Sequence, residues 1–300
     1  MAVKTREEYL KSLQPLRPQV YVAGEKITSV LDSPYFRTSL NHMGMSYDWA
    51  NDPNYAGLMR HWSSLVEEEV SFWTHVRLSQ EELAQMIKAI KTFSARYFCT
   101  MCMGIGLSTL WATTYEIDQA RGTNYHQRLK AFYTKLQRQD LRFALGIMDP
   151  KGDRSLSPSR QPDPDLHLRI IRRTSDGIVV RGAKMHTTNA PCTHLFFAAP
   201  CRALREEDAD YAVAFVVPID TKGLYLITRP AAGPLEPRPE SPVSGEIGFV
   251  ESLSVFDDVF VPWERVFMCG EWEFSERFIH YFSAYARLAK CVCLSARIEK

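Results

Sequence analysis

Leu141-Arg-Phe-Ala-Leu-Gly-Ile-Met-Asp-Pro-Lys-Gly-Asp-Arg154 is where the chain changes character. Upstream of it apolar residues recur in steps of three and four. Within it Phe143–Ile147 is a short apolar run that ends in a polar, turn-rich loop. Downstream come Leu166–Arg172, Gly177–Arg181, His194–Ala198, Tyr211–Val217, Gly223–Thr228 and Phe249–Val261. These runs are β-branched or aromatic and are punctuated by Gly, Pro and Asp, as an antiparallel β unit requires. Pro230–Gly245 holds five prolines, so it reads as an exposed loop.

Before the transition the chain reads as helical. Thr5 with Glu8 is a capping box opening a helix over Arg6–Leu13, and Ser79 with Glu82 is a second. Leu83, Met86, Ile87 and Ile90 follow at helical spacing. A further helix starts near Asn124, with Leu129, Phe132, Tyr133 and Leu136 on one face, and Ser108–Gln119 and Tyr55–Trp73 also read as helix. After Pro262 the helical period returns in Phe274, Phe278, Tyr281, Phe282, Tyr285 and Leu288. Nothing follows on which that apolar face could pack, so the sequence predicts either self-association through it or a natural chain that continues past Lys300. The fold class expected is α+β, divided as residues 1–140 (helical), 141–265 (β) and 266–300 (the start of a second helical unit).

Composition narrows the function. The 300 residues carry 36 Lys and Arg against 35 Asp and Glu, which lacks the basic excess of a nucleic-acid binder or a polybasic membrane sensor. No apolar run is long enough to span a membrane, and Met1–Leu10 has charges where a signal peptide has its apolar core. The sequence therefore reads as cytoplasmic. Seven cysteines without an export signal argue for thiols that are core residues, ligands or redox groups. There is no alternating βαβ order, no GxxxxGK[ST], no HExxH and no GxSxG.

Four constellations could carry chemistry. Met148–Arg154 offers Lys151, Arg154 and the backbone around Gly152 to an anionic or dinucleotide ligand, or is a charged surface turn. Lys184-Met-His-Thr-Thr188 places His186, Thr187 and Thr188 at a strand end, where they could bond the edge of a heterocycle such as a flavin, or simply cap the backbone. Glu251 lies in an apolar run; burial would raise its pKa and suit it to general-base work, whereas a solvent-facing Glu would do nothing. Cys99 and Cys102 share a helical face, and Cys293, on the stripe of Phe282, is better placed than Cys291 to join them at a metal. The alternative is cysteines acting as small hydrophobes.

Taken in order, several blocks resemble the 4-hydroxyphenylacetate 3-monooxygenase large-component family, most closely its 4-hydroxybutyryl-CoA dehydratase (vinylacetyl-CoA isomerase) branch. The matching stretches are Tyr9–Leu13, Val20–Lys26, Thr113–Asp118, Gly122–His126, Asp149–Arg154, Pro162–Leu166, Asp176–Lys184 and Val255–Pro262. The resemblance spans nearly the whole chain. It implies an acyl-CoA-dehydrogenase-like fold, FAD between the β domain and a C-terminal bundle, a homotetrameric assembly, and a chain that stops after about the first bundle helix. It places flavin contacts on Met148, Asp149, Lys151, Gly152, Asp153, Arg154 and Ser155 and on His186, Thr187 and Thr188, and the acid/base carboxylate on Glu251.

In the dehydratase three Cys and one His hold a [4Fe–4S] cluster beside the flavin. Here Cys99 and Cys102 are one residue closer than that pattern, Cys293 matches the third ligand, the His position is Ala286 and the proposed Tyr acid is Lys290. The monooxygenase pattern of an Arg and a Tyr after a Gly-rich turn, with a His before the flavin loop, is absent from Met103–Leu107 and Ala144–Met148. Three readings follow: an FAD-dependent enzyme of the dehydratase and isomerase kind acting on a short acyl-CoA, a reduced-flavin monooxygenase acting on a phenol, and a non-catalytic truncated paralogue.

Overall fold

A computed structural model describes residues 3–94, 102–230, 245 and 248–298, without the side chains of residues 102, 103 and 297. The first half contains helices α1 (Arg6–Leu13), α2 (Arg37–Asn51), α3 (Ala56–Met59), α4 (Gln80–Ser94), α5 (Cys102–Arg121) and α6 (Tyr125–Arg138). Both capping boxes form. Thr5 Oγ1 accepts from Glu8 N–H while Thr5 N–H donates to Glu8, and Ser79 and Glu82 repeat the exchange at α4.

Strands also occur in this half, contrary to the purely helical expectation. Gln19–Val22 (β1) and Glu25–Ile27 (β2) form a hairpin, and so do Arg60–Ser63 (β3) and Glu68–Ser71 (β4). The helix expected across Tyr55–Trp73 is thus one short turn of helix followed by the β3–β4 hairpin, in which Val70 is buried and Trp62 exposed by strand alternation.

The second half supplies β5 (Phe143–Gly146), β6 (Arg169–Arg173), β7 (Gly177–Thr188), β8 (Leu195–Ala198), β9 (Val213–Pro218), β10 (Leu224–Arg229), β11 (Glu251–Pro262) and β12 (Val266–Cys269). They make a six-stranded sheet in the order β2-β1-β10-β11-β7-β6 and a four-stranded sheet in the order β12-β9-β8-β5. The unit is not wholly antiparallel: β1 runs parallel to β10 and β5 parallel to β8. The N-terminal hairpin therefore extends the central sheet. The two sheets meet through aromatic side chains, with Phe256 edge-on to Phe196 at 5.3 Å and to Phe215 at 5.7 Å.

The last helix, α7 (Ser275–Ile298), is not left bare. It lies against α4 and α5, with Phe278 and Ala289 fully buried and Phe282, Tyr285 and Leu288 packed on the core. Glu116 on α5 fixes its start by accepting from Arg277 (3.1 Å) and from the Tyr281 hydroxyl (2.5 Å). Exposed apolar side chains remain at its end, Leu294 and Ile298. The Pro230–Gly245 loop falls almost entirely outside the described residues.

Candidate functional site

Strand β7 continues beyond the run read from sequence and carries Lys184, His186, Thr187 and Thr188 on its last turns of pleat. Lys184 pairs with Ser254 and Thr187 with Ser252, so Met185 and His186 together oppose the single residue Leu253. This is a β-bulge, and His186 adopts the left-handed conformation (φ 54°) that it requires. The bulge turns successive side chains apart. Thr187 is buried, and its Oγ1 accepts from Ser254 Oγ at 3.0 Å. His186 and Thr188 are exposed, and Thr188 Oγ1 donates to Glu251 Oε1 at 2.8 Å.

Glu251 begins β11 directly opposite Thr188. Its second oxygen, Oε2, is buried and has no hydrogen-bond partner among the described residues. Burial pushes its pKa above the usual carboxylate range, more than the Thr188 hydrogen bond and the nearby His186 and Arg229 charges hold it down. A half-buried carboxyl with a raised pKa and one oxygen free is suited to take up and release a proton.

The loop after β5 is fastened beside this strand end. Met185 N–H donates to Met148 O (2.8 Å), and Lys184 Nζ donates to Ile147 O (3.2 Å). Lys184 and Asp149 form a buried ion pair at 2.6 Å, and the Cys201 thiol donates to the other Asp149 oxygen at 2.8 Å. Burial would raise the Asp149 pKa, but the Lys184 ammonium and these hydrogen bonds outweigh it and hold the carboxyl below its usual value. His167 Nε2 bonds Pro150 O at 3.2 Å, and a cavity of about 10 Å³ opens between Asp149, His167, Lys184, Cys201, Arg202 and Tyr211.

Farther along, Gln161 clamps the loop from both sides, donating to Asp153 O (2.8 Å) and accepting from Asp153 N–H (3.1 Å). A Cβ at Gly152 would displace the side-chain ends of Gln161 and Leu166, so glycine lets the loop lie this close without moving the clamp. Ser155 donates to Asp153 Oδ1 from both N–H (2.9 Å) and Oγ (2.6 Å). These bonds hold the exposed Asp153 carboxyl low. Lys151 and Arg154 stay exposed and make no ion pair or hydrogen bond among the described residues, and Met148 is 55% exposed at the loop's start.

The residues expected in the loop and at the strand end thus lie on neighbouring elements, joined at Met148–Met185 and Asp149–Lys184, with different duties. Asp149 and Thr187 are occupied inside the protein, Gly152, Asp153 and Ser155 shape the loop, and Met148, Lys151, Arg154, His186 and Thr188 line its surface. Sequence reasoning missed Cys201, His167 and Asn189; only Asn189 carried a signal, being a residue type that tolerates its positive φ of 56°.

The metal expectation fares differently. Cys99 and the Cys102 side chain lie outside the described residues. Cys293 Sγ lies 2.9 Å from Ser94 Oγ at the end of α4. Ala286 has no ligand atom, and among the described residues no three His, Cys, Asp or Glu side chains are arranged for a metal ion. A [4Fe–4S] cluster therefore finds no support in the donor set of the described residues. Lys290 is exposed on α7. No helix among the described residues is long and apolar enough to cross a membrane.

The loop has the chemistry a dinucleotide needs: Lys151 and Arg154, unpaired among the described residues, suit a diphosphate, and an exposed methionine with a bulged strand end suits a flat ring.

Known proteins share this arrangement. The chain is 38% identical over 290 residues to the 4-hydroxybutyryl-CoA dehydratase/vinylacetyl-CoA-Δ-isomerase of Clostridium aminobutyricum, covering 94% of this chain and 59% of that protein. It is 28% identical to the oxygenase component of 4-hydroxyphenylacetate 3-monooxygenase from Thermus thermophilus, covering 90% and 56%. Among solved structures, an oxygen-tolerant archaeal 4-hydroxybutyryl-CoA dehydratase from N. maritimus superposes with a TM-score of 0.91 at 31% identity, over 98% of this chain and 60% of that one. The oxygenase component of 4-hydroxyphenylacetate 3-monooxygenase complexed with FAD superposes with a TM-score of 0.82 at 26% identity, over 99% and 62%. This chain thus spans about three fifths of the length of these relatives, and its fold is the acyl-CoA-dehydrogenase-like one expected. The profile described as 4-hydroxyphenylacetate 3-hydroxylase N terminal matches residues 5–268, and the chain belongs to that family of enzymes.

Proposed function

We propose that this chain forms the FAD-binding part of an enzyme of the dehydratase and isomerase kind that acts on a short-chain acyl-CoA. The observation that carries the reading is Glu251, a carboxyl with one buried free oxygen and a raised pKa beside the loop suited to the cofactor. The 38% identity to a protein named for both activities supports it. Lys151 and Arg154 would bind the diphosphate of FAD, Met148 and His186 would flank its ring system, and Thr188 would hold Glu251 in place. Bound FAD supplies electron transfer to and from the substrate.

The chain's own part is proton movement. Loss of water from 4-hydroxybutyryl-CoA takes protons from C2 and C3 and the hydroxyl from C4, which leaves as water with one of them while the other returns to C4, and migration of the vinylacetyl double bond moves a proton from C2 to C4. Glu251 Oε2 takes the proton, and its Oε1 stays fixed by Thr188, so the free oxygen alone faces the reaction. Lys290 is kept as a candidate acid on α7.

The test is to purify the chain, add FAD and follow vinylacetyl-CoA and 4-hydroxybutyryl-CoA under anaerobic conditions, with Glu251→Gln as control. Flavin binding with turnover that Glu251→Gln abolishes supports the reading. Flavin binding with oxygen uptake on 4-hydroxyphenylacetate and reduced FAD would replace it with the monooxygenase reading. Neither would leave a binding scaffold.

A further inference from the structure

Three buried polar groups without hydrogen-bond partners among the described residues belong to or touch one short segment, Phe249–Glu251. His42, on α2, is 2% exposed, neither ring nitrogen has a hydrogen-bond partner, and its ring stands edge-on to Phe249 at 4.5 Å. Asn189, 5% exposed, donates its backbone N–H to Val250 O at 2.9 Å while its side-chain oxygen is unbonded. Glu251 Oε2 is the third. Ser39, one turn before His42, accepts from Val250 N–H at 3.0 Å, which locks α2 to the same segment.

Each such group left dry costs about 1–3 kcal/mol, so three around one segment favour a shared polar partner. Their chemistry is complementary. A neutral imidazole offers one donor and one acceptor, the Asn oxygen an acceptor, and a carboxyl either role. His42 stays neutral, because burial and the nearby Arg142 charge push its pKa down to about 3. A molecule carrying both O–H donors and lone pairs satisfies all three.

We propose that His42 and Asn189 are positioning residues that hold a water molecule against the free oxygen of Glu251, so that the three form a proton relay. The inference rests on the reading of Glu251 as the proton-handling group. It assigns α2, far from the loop and strand end in sequence, a part in the site. The backbone bond from Asn189 to Val250 keeps that residue at the segment. The other charged groups acting on Glu251 are His186 on β7 and Arg229 on β10, and both stay unaltered in the test.

The experiment is a pH titration of the Glu251 carboxyl by isotope-edited infrared spectroscopy on the whole chain with ¹³C-labelled glutamate, the band being assigned by Glu251→Gln. Removing the donor and the water destabilises the carboxylate, so His42→Leu should raise the midpoint by about one pH unit. Asn189→Gly keeps the left-handed backbone and should shift it the same way. His42→Gln, which can still bond water, should return it most of the way. A merely structural His42 would change thermal stability and leave the midpoint in place. A midpoint unmoved in both His42→Leu and Asn189→Gly overturns the relay, and if His42→Leu does not fold, Asn189→Gly alone decides. The titration needs no turnover, so failure of the acyl-CoA assay overturns the functional reading and leaves the relay to its own result.

Discussion

Replacing Lys184 by Met should be the most damaging single change near the site. The Lys184 and Asp149 side chains are 4% and 9% exposed, and their 2.6 Å pair fixes the loop's start to β7. Methionine has similar volume, so packing is nearly conserved, but the Asp149 charge is left buried with only the Cys201 thiol and the distant Arg202 (3.9 Å) to compensate it. Breaking a buried pair from one side typically costs about 3–5 kcal/mol. At roughly 2 °C per kcal/mol for a chain of this size, the thermal midpoint at pH 7 should fall about 6–10 °C.

The sign with pH distinguishes this cause from lost packing. In the native chain Asp149 titrates below its ordinary value, so its contribution is present above about pH 4 and is lost as pH falls through the folded pKa. In Lys184→Met the largest opposing charge is gone and burial outweighs what the Cys201 bond retains, raising that pKa, so the deficit should shrink as pH falls from 7 toward 4. Lys184→Met combined with Asp149→Leu should recover most of the stability at pH 7. Calorimetry or circular dichroism across that range measures both. A loss under about 1 kcal/mol, or a deficit that does not vary with pH, would refute the argument that the uncompensated charge is the cause.

Further outcomes are expected from other residues. Lys151→Ala with Arg154→Ala should weaken FAD binding by roughly 100-fold or more, with unchanged circular dichroism, because two charge-assisted contacts are removed from an exposed loop; fluorescence titration reads it. Glu251→Gln should remove turnover and slightly raise the thermal midpoint at pH 8, since it replaces a carboxylate that burial disfavours. His61 and His75 stack at 5.0 Å, and burial first, then Arg77, lowers both pKa values, that of His61 to about 4. The unfolded chain therefore binds protons from about pH 6.5 downward while the folded one does not until about pH 4. Stability should fall over that window, and His61→Phe should flatten the slope in urea titrations at pH 7 and pH 5.

How much of this was legible depends on whether the deciding interaction is local. The capping boxes at Thr5 and Ser79 are three-residue exchanges and are visible in the sequence. The β3–β4 hairpin was not, because its turn places Glu67 at φ 56°, where Gly or Asn would have announced it. The β1–β2 turn is half announced, by Gly24 (φ 87°) but not by Ala23 (φ 51°). That β1 then lies parallel to β10, some two hundred residues later, follows from packing no local pattern encodes. At the site the loop and strand end were readable as polar residues bounding strands. Asp149 was readable as part of the loop, but its partner is 35 residues away. His42 lies mid-helix with no spacing to mark it.

Backbone strain offers a guide to the site that sequence cannot. The described non-glycine residues with positive φ are Ala23, Glu67, Asp140, His186, Asn189 and Asp258. Most have local compensation. Ala23 and Glu67 sit in hairpin turns, Asp140 accepts from Ser71 Oγ at 2.7 Å and Trp73 Nε1 at 3.0 Å, and Asp258 pairs with Arg181 at 2.6 Å. His186 has no side-chain bond of this kind among the described residues and projects outward. A left-handed conformation of such a residue costs of order 1–3 kcal/mol and persists where its surroundings over-determine it. Here the surroundings are the ladder on either side of the bulge, with Lys184 held by Asp149 and Thr187 by Ser254. The consequence is a change of facing among these alternate residues: Lys184 inward to the loop's anchor, His186 outward to the surface, and Thr188 across to Glu251. A regular strand would have put Lys184, His186 and Thr188 on one face. The bulge lets a single strand both anchor the loop and hold the carboxyl.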